Sequence, residues 1–224
     1  MANQINVLNE LIGAVEVHEN LFLLKEKAVW CAKTESLFIA DTHFGKAGHF
    51  RKAGIAVPES VHMADYLLLE NLIARFKPKI FYLLGDLFHS AINKQWLILE
   101  EFLESYKGVS FILIKGNHDI LPKNIYLSST LQIHAEPLVV GKLILSHEPM
   151  EEVPSGMLNI CGHLHPGFSI KNFGRHSQKI PCFHFKQQQL ILPSFGKFTG
   201  LVILPFELSD KIFIITPNEV IQFN

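Results

Sequence analysis

The chain has 224 residues and is 48% apolar, enough for a large core in one α/β domain or two small ones. Its 20 Lys and Arg against 21 Asp and Glu leave a formal charge of −1, which excludes a global basic field for holding nucleic acid, so any such contact must be local. Three cysteines, Cys31, Cys161 and Cys182, without a CxxC pair, argue against a disulfide framework and a thiolate zinc site, whereas twelve histidines are unusually many. Residues 1–10 are polar with no basic stretch leading into an apolar run, and no run reaches the length of a membrane span, so a cytoplasmic protein without membrane association is expected.

Short strands are predicted at 14–17, 21–24 and 28–32, separated by polar breaks. The next strand, 36–40, runs into Asp41-Thr42-His43. Behind Pro58, the spacing of Val61, Ala64, Leu67, Leu68, Leu72 and Phe76 by threes and fours predicts an amphipathic helix over 59–76. A strand at 79–84 ends at Gly85-Asp86, a helix at 95–106 closes near Gly108, and a strand at 109–114 delivers Gly116-Asn117-His118-Asp119. Strands that alternate with helices and end in polar clusters describe a parallel α/β layer with its site at the carboxyl ends of the strands. After Pro122 the pattern changes to short strands at 138–140, 142–145, 158–161, 180–185, 190–192, 201–204 and 212–215. No linker or repeat marks a boundary, so residues 1–224 are expected to form a single domain of class α/β. Its architecture would be a four-layer αββα sandwich of two mixed sheets flanked by helices, with the eighteen phenylalanines filling the space between the sheets.

Polar clusters sit at five strand ends: Asp41-Thr42-His43, Gly85-Asp86, Gly116-Asn117-His118-Asp119, Ser146-His147 and Gly162-His163-Leu164-His165. Asp41 with His43, and His163 with His165, are spaced i, i+2, which in extended backbone projects both side chains to one side. Two carboxylates, an amide oxygen and four imidazoles are too many donors for one ion and suit two that share a bridging carboxylate. Oxygen and nitrogen without thiolate suit Mn²⁺ first, with Fe²⁺ or Zn²⁺ as alternatives. Two divalent ions would outweigh the charges of Asp41 and Asp86, attract a phosphate and lower the pKa of a bound water, supplying hydroxide for in-line attack.

In this order the five motifs resemble the calcineurin-like metallophosphoesterase superfamily. The resemblance implies that Asp41, His43 and His165 bind one metal, that Asn117, His147 and His163 bind the other, and that Asp86 bridges them. It also implies that His118 contacts the substrate phosphate and assists the leaving group, oriented by Asp119. A narrower resemblance rests on 40–47 (Ala-Asp-Thr-His-Phe-Gly-Lys-Ala), Phe50-Arg51, Gly54-Ile55-Ala56-Val57-Pro58, Ser146-His147-Glu148-Pro149 and 192–200 (Leu-Pro-Ser-Phe-Gly-Lys-Phe-Thr-Gly). These look like the ligase-associated DNA-damage-response phosphoesterases, the PdeM family, with a departure at Leu201, where a second glycine often stands. That resemblance implies a bacterial DNA-repair setting beside a DNA ligase and helicase, and nuclease activity.

The expected activity is hydrolysis of a phosphodiester, nucleic acid or nucleotide first, with Lys46 and Arg51 placed to bind a substrate phosphate. A nucleotide-linked lipid pyrophosphate hydrolase, LpxH-like, is the alternative within the same chemistry. It calls for an apolar lid, and no long amphipathic insertion stands between Asn117 and His147. A non-catalytic scaffold of the same fold is the alternative outside it, and His118 beside a complete ligand list speaks against that. His49, His62 and His176 are expected to be solvated, and His89 to support a ligand from behind or to stand at a helix entry. Lys171, Arg175, His176 and Lys179, interleaved with Phe168 and Phe173, have the composition of a strand-binding loop, but loops of this size more often solvate themselves.

Overall fold

The computed structural model describes residues 10–46, 60–88, 92–171, 177–197 and 199–224. One sheet has the order β1 (Val15–His18), β2 (Leu21–Leu24), β3 (Ala28–Cys31), β4 (Ser36–Ala40), β5 (Ile80–Leu84), β6 (Ser110–Ile114) and β7 (Gln132–His134). Its first four strands pair antiparallel and β4 to β7 pair parallel, with helices α1 (Ser60–Phe76), α2 (Lys94–Ser105) and α3 (Lys123–Ser128) in the crossovers. The central strands read as unbroken apolar runs because they are covered on both faces.

The second sheet contains β8 (Leu138–Val140), β9 (Leu143–Leu145), β10 (Leu158–Cys161), β11 (Pro166–Lys171), β12 (Ser177–Lys186), β13 (Gln189–Ile191), β14 (Val202–Ile203), β15 (Lys211–Ile215) and β16 (Val220–Gln222). Its path runs β14-β11-β12-β13-β10-β9-β8, with β15 also on β12 and β16 on β15. Leu23, Phe38, Tyr82 and Ile112 from the first sheet meet Leu145, Ile160, Phe183, Leu190 and Phe213 from the second in one buried layer. This is the expected arrangement of two mixed sheets. A second layer joins the outer face of the first sheet to Tyr66, Leu69 and Leu72 of α1, Trp96, Leu99 and Leu103 of α2, and Tyr126 of α3. Among the described residues the helices all pack on this side, and Leu204, Phe206 and Phe223 lie over Cys182, His184 and Ile212 on the outside of the second sheet.

Several local expectations change. Phenylalanine is not confined to the space between the sheets: Phe44, Phe81, Phe88, Phe111 and Phe195 fill the helix-side layer, where ring-sized gaps separate helix from sheet. The elements α3, β7, β11 and β16 were not expected, being too short to show a period or, for β11, opened by Pro166. The strand expected over 180–185 extends to Ser177–Lys186, because its exposed start pairs only with β11 and needs no apolar side chains. Cys31, Cys161 and Cys182 are free and buried, as expected. No described helix is long and apolar enough to cross a membrane.

Candidate metal centre

The parallel strands β4, β5 and β6 end side by side, so the chain leaving each one meets the chain leaving the next. Beyond the strands this contact continues through backbone hydrogen bonds from Asp41 to Gly85 (3.2 Å), His43 to Asp86 (2.9 Å) and Phe44 to Leu87 (2.9 Å). The second sheet supplies its share from the ends of β9 and β10, where the Gly162 amide donates to His147 O at 2.9 Å.

The side chains do not reach the centre from extended backbone, as the i, i+2 spacing suggested. Asp41, His43, Asp86, His163 and His165 all have positive φ, between 47° and 68°. Non-glycine residues avoid that region unless the surroundings hold them there, and such strain collects at functional sites. Close packing explains Gly85, where a Cβ would stand 2.2 Å from His147 Nδ1.

Each of the two central carboxylates has one oxygen fixed by a backbone amide of another loop. Asp41 Oδ2 accepts from the His163 amide and Asp86 Oδ1 from the His118 amide, both at 2.9 Å. That leaves Asp41 Oδ1 and His165 Nε2, two buried atoms without a hydrogen-bond partner, 3.2 Å apart. Donors about 2.1 Å from one ion and at right angles to each other lie about 3.0 Å apart, so these atoms have the spacing of two ligands. The donor atoms of Asp41, His43 and His165 lie within 4.8 Å of one another, and so do those of Asp41, Asp86 and His147.

On the other side, His147 Nδ1 lies 3.1 Å from Leu84 O. A carbonyl only accepts, so Nδ1 carries the proton and Nε2 keeps its lone pair. That lone pair faces Asn117 Oδ1 and His163 Nδ1, each 3.0 Å away, and Asp86 Oδ1 at 3.5 Å. Asp86 Oδ2 lies 3.9 Å from His43 Nε2, so this carboxylate turns one oxygen toward each group. The residues fit two ions with a shared carboxylate.

His118 is exposed, its ring 6.1 Å from that of His43. The buried Asp119 carboxylate accepts from the amides of Leu87 (3.0 Å), Phe88 (3.3 Å) and Gly116 (2.9 Å), tying the His118 turn to the loop of Asp86. Burial pushes Asp119 up to about 6, against the pull of its backbone donors. Lys46 lies within electrostatic reach of Asp86 and Asp41; burial lowers its pKa and the two carboxylates oppose the shift. Arg51, His49, His89, Phe173, Arg175 and His176 lie outside the described residues.

Two contributors carried no sequence signal. The Glu136 carboxylate accepts from the amides of His147 (2.6 Å) and Glu148 (3.1 Å), and Leu84 acts through its carbonyl. A third was visible as a motif without a role: the loop of Ser194, Phe195 and Gly196 lies against the backbone of Ala40 and Asp41.

The fold and this donor set define a metal-dependent hydrolase of phosphoesters. The family model of calcineurin-like phosphoesterases matches residues 36–191, and the chain belongs to that family, whose members use divalent metals. Among solved structures, the Pseudomonas putida nuclease MPE superposes with a TM-score of 0.75 at 24% identity, covering 95% of this chain and 100% of its own, and so shares the fold. The Escherichia coli phosphoesterase Yfce matches with a TM-score of 0.44 at 16% identity over 84% of this chain and 97% of its own. No curated protein matches the chain.

Proposed function

We propose that the protein hydrolyses phosphodiesters, with nucleic acid or a nucleotide as substrate, at a centre in which Asp41, His43 and His165 hold one divalent ion, Asn117, His147 and His163 hold a second, and Asp86 serves both. The observation that carries this reading is the pair of donor groups facing each other across Asp86, beside an exposed His118. Bound there, the ions would act as Lewis acids on the phosphoryl oxygens and activate water. His118, exposed beside the centre, would donate a proton to the departing oxygen, and Asp119 keeps its turn in position. Lys46 supplies a cation to a phosphate oxygen beside the centre.

A diester of nucleic acid is favoured over a lipid-linked pyrophosphate by residues 115–142, all of them described, which form only the six-residue α3 and the short β7 and β8. An apolar lid has no room there. The structurally similar Pseudomonas putida protein is a nuclease, in keeping with this choice. Mn²⁺ as the native ion, a single domain over residues 1–224, a cytoplasmic location and DNA repair beside a ligase and helicase complete the proposal.

Metal analysis with a substrate panel tests it. Two equivalents of Mn²⁺ and faster hydrolysis of bis(p-nitrophenyl) phosphate and single-stranded DNA than of a phosphomonoester are expected. Preference for the monoester would overturn the substrate class and leave the centre standing.

A further inference from the structure

The described residues of the motif at 192–200 lie beside the centre without supplying a metal ligand, and their backbone shows what they do. The Phe195 amide donates to Ala40 O at 2.8 Å, the Gly196 amide to Asp41 O at 3.2 Å, and Ser194 Oγ to Asp41 O at 2.7 Å. A Cβ on Gly196 would meet Thr42 O at 2.3 Å, so the loop lies flat on the turn that aims Asp41 and His43. That turn carries two residues in the left-handed region, Asp41 at φ 54° and His43 at φ 48°. Backbone held there needs support from outside itself.

The loop is gripped in turn from its far side. Lys27 stands in the turn between β2 and β3 with φ 60°, its side chain half-buried and turned toward the loop. Its ammonium donates to Ser194 O (3.0 Å) and Phe195 O (2.8 Å). Asp65, 3% exposed on α1, accepts from the Lys197 amide, and its Oδ1 has no hydrogen-bond partner. The ammonium therefore takes the loop's carbonyls while the carboxylate takes its amide.

We infer that Lys27 and Asp65 are positioning residues for one half of the metal centre: through the Ser194–Lys197 backbone they hold Asp41 and His43 in the conformation that binds the first ion. This rests on the proposed dinuclear centre. The pair is poorly suited to stabilising the fold, since burial pushes Lys27 down to about 8 and Asp65 up to about 6 despite their mutual attraction. Retaining two such groups where apolar side chains would fit is explained by what they grip.

Calorimetric titration of the chelated, full-length protein with Mn²⁺ tests the inference, the two binding steps being assigned with His165→Ala and His163→Ala. Lys27→Met should weaken the step that His165→Ala abolishes by about ten- to a hundredfold, the range for residues that orient metal ligands, and leave the other within about threefold. Lys27→Arg, which keeps charge and donors, should restore most of the loss, and Asp65→Asn should fall between. Should Lys27→Met not fold, Asp65→Asn, nearly isosteric, carries the same comparison. An unchanged first step, or equal weakening of both steps with a lower melting temperature, overturns the positioning role alone. A wild-type chain that binds no Mn²⁺ overturns the proposed centre and this role with it.

Discussion

The two halves of the centre are built differently. In the first, Asp41 and His43 are buried, Asp41 brings its own negative charge, and every ligand has positive φ. In the proposed second half, Asn117 is exposed, and Asn117, His147 and His163 would be neutral donors; the carboxylate facing His147 Nε2 is the shared Asp86, at 3.5 Å, while Asp41 lies on the Nδ1 side of that ring, at 3.9 Å. Affinity for a hard divalent ion rises with the charge of its ligands and the rigidity of the site. The first half therefore has the character of a permanent seat and the second that of an exchangeable one. In the proposed centre a substrate phosphate would meet the exposed His118 and Asn117 on the side of the second half, where the weaker ion would sit.

Removing what the halves share breaks this comparison most severely. Asp86→Asn should leave Mn²⁺ binding at either half weakened by more than about a hundredfold and hydrolysis undetectable, since the loss reaches both ions. Titration checks it, and a variant that keeps two wild-type steps would show that Asp86 bridges nothing. His118→Ala should keep both steps and lose about 10²- to 10⁴-fold in turnover, the usual contribution of a general acid. Wild-type rates at unchanged metal content would remove His118 from the reaction. Asn117→Asp tests the asymmetry itself: a second carboxylate should tighten the weaker step by about tenfold and draw the two steps together. If the tighter step responds instead, the halves are wrongly assigned.

The same contrast separates what could be read in the sequence from what could not. Asp41, His43, Asp86, Asn117, His147, His163 and His165 stand in short motifs at the ends of apolar strands, and a polar cluster at such a place has few explanations other than a site. Their convergence was therefore legible, along with the sheets that bring them together. The route was not: extended backbone was the natural reading of the i, i+2 pairs, and only the folded structure shows left-handed residues performing that task. Contacts made through main-chain atoms are equally silent, because the Leu84 carbonyl and the amides held by Asp119 look the same whatever side chain they carry. Lys27 was hidden for a different reason. A lysine in a polar turn is ordinarily solvated, and its partners Ser194 and Phe195 lie 167 and 168 residues away. Elements such as β7 and α3 escaped because three or six residues of mixed polarity are too few to show a period.

The smallest expected effect concerns stability, and it separates the grip on the Ser194–Lys197 loop from ordinary cohesion of the fold. The folded-state pKa of Asp65 is about 6 against an ordinary 3.8, so between those values the folded chain holds more protons than the unfolded one, and stability from this group falls as pH rises. Lys27 sits at about 8 against 10.5; between those values the unfolded chain holds more protons, and stability rises with pH. The pair's contribution is thus at its lowest between about pH 6 and pH 8. Replacing both charges by apolar groups of similar size, Lys27→Met with Asp65→Leu, removes that cost, and such exchanges are often neutral or stabilising. The chelated double variant should melt no lower than wild type at about pH 7, and its relative standing should decline by a few degrees toward about pH 4.5 and pH 9.5. The same variant should still show the weakened first Mn²⁺ step, because no apolar side chain replaces donors to Ser194 O and Phe195 O. A double variant that melts far below wild type at pH 7 would mean that Lys27 and Asp65 hold the fold together, and that the metal half they support is only one of the things lost with them.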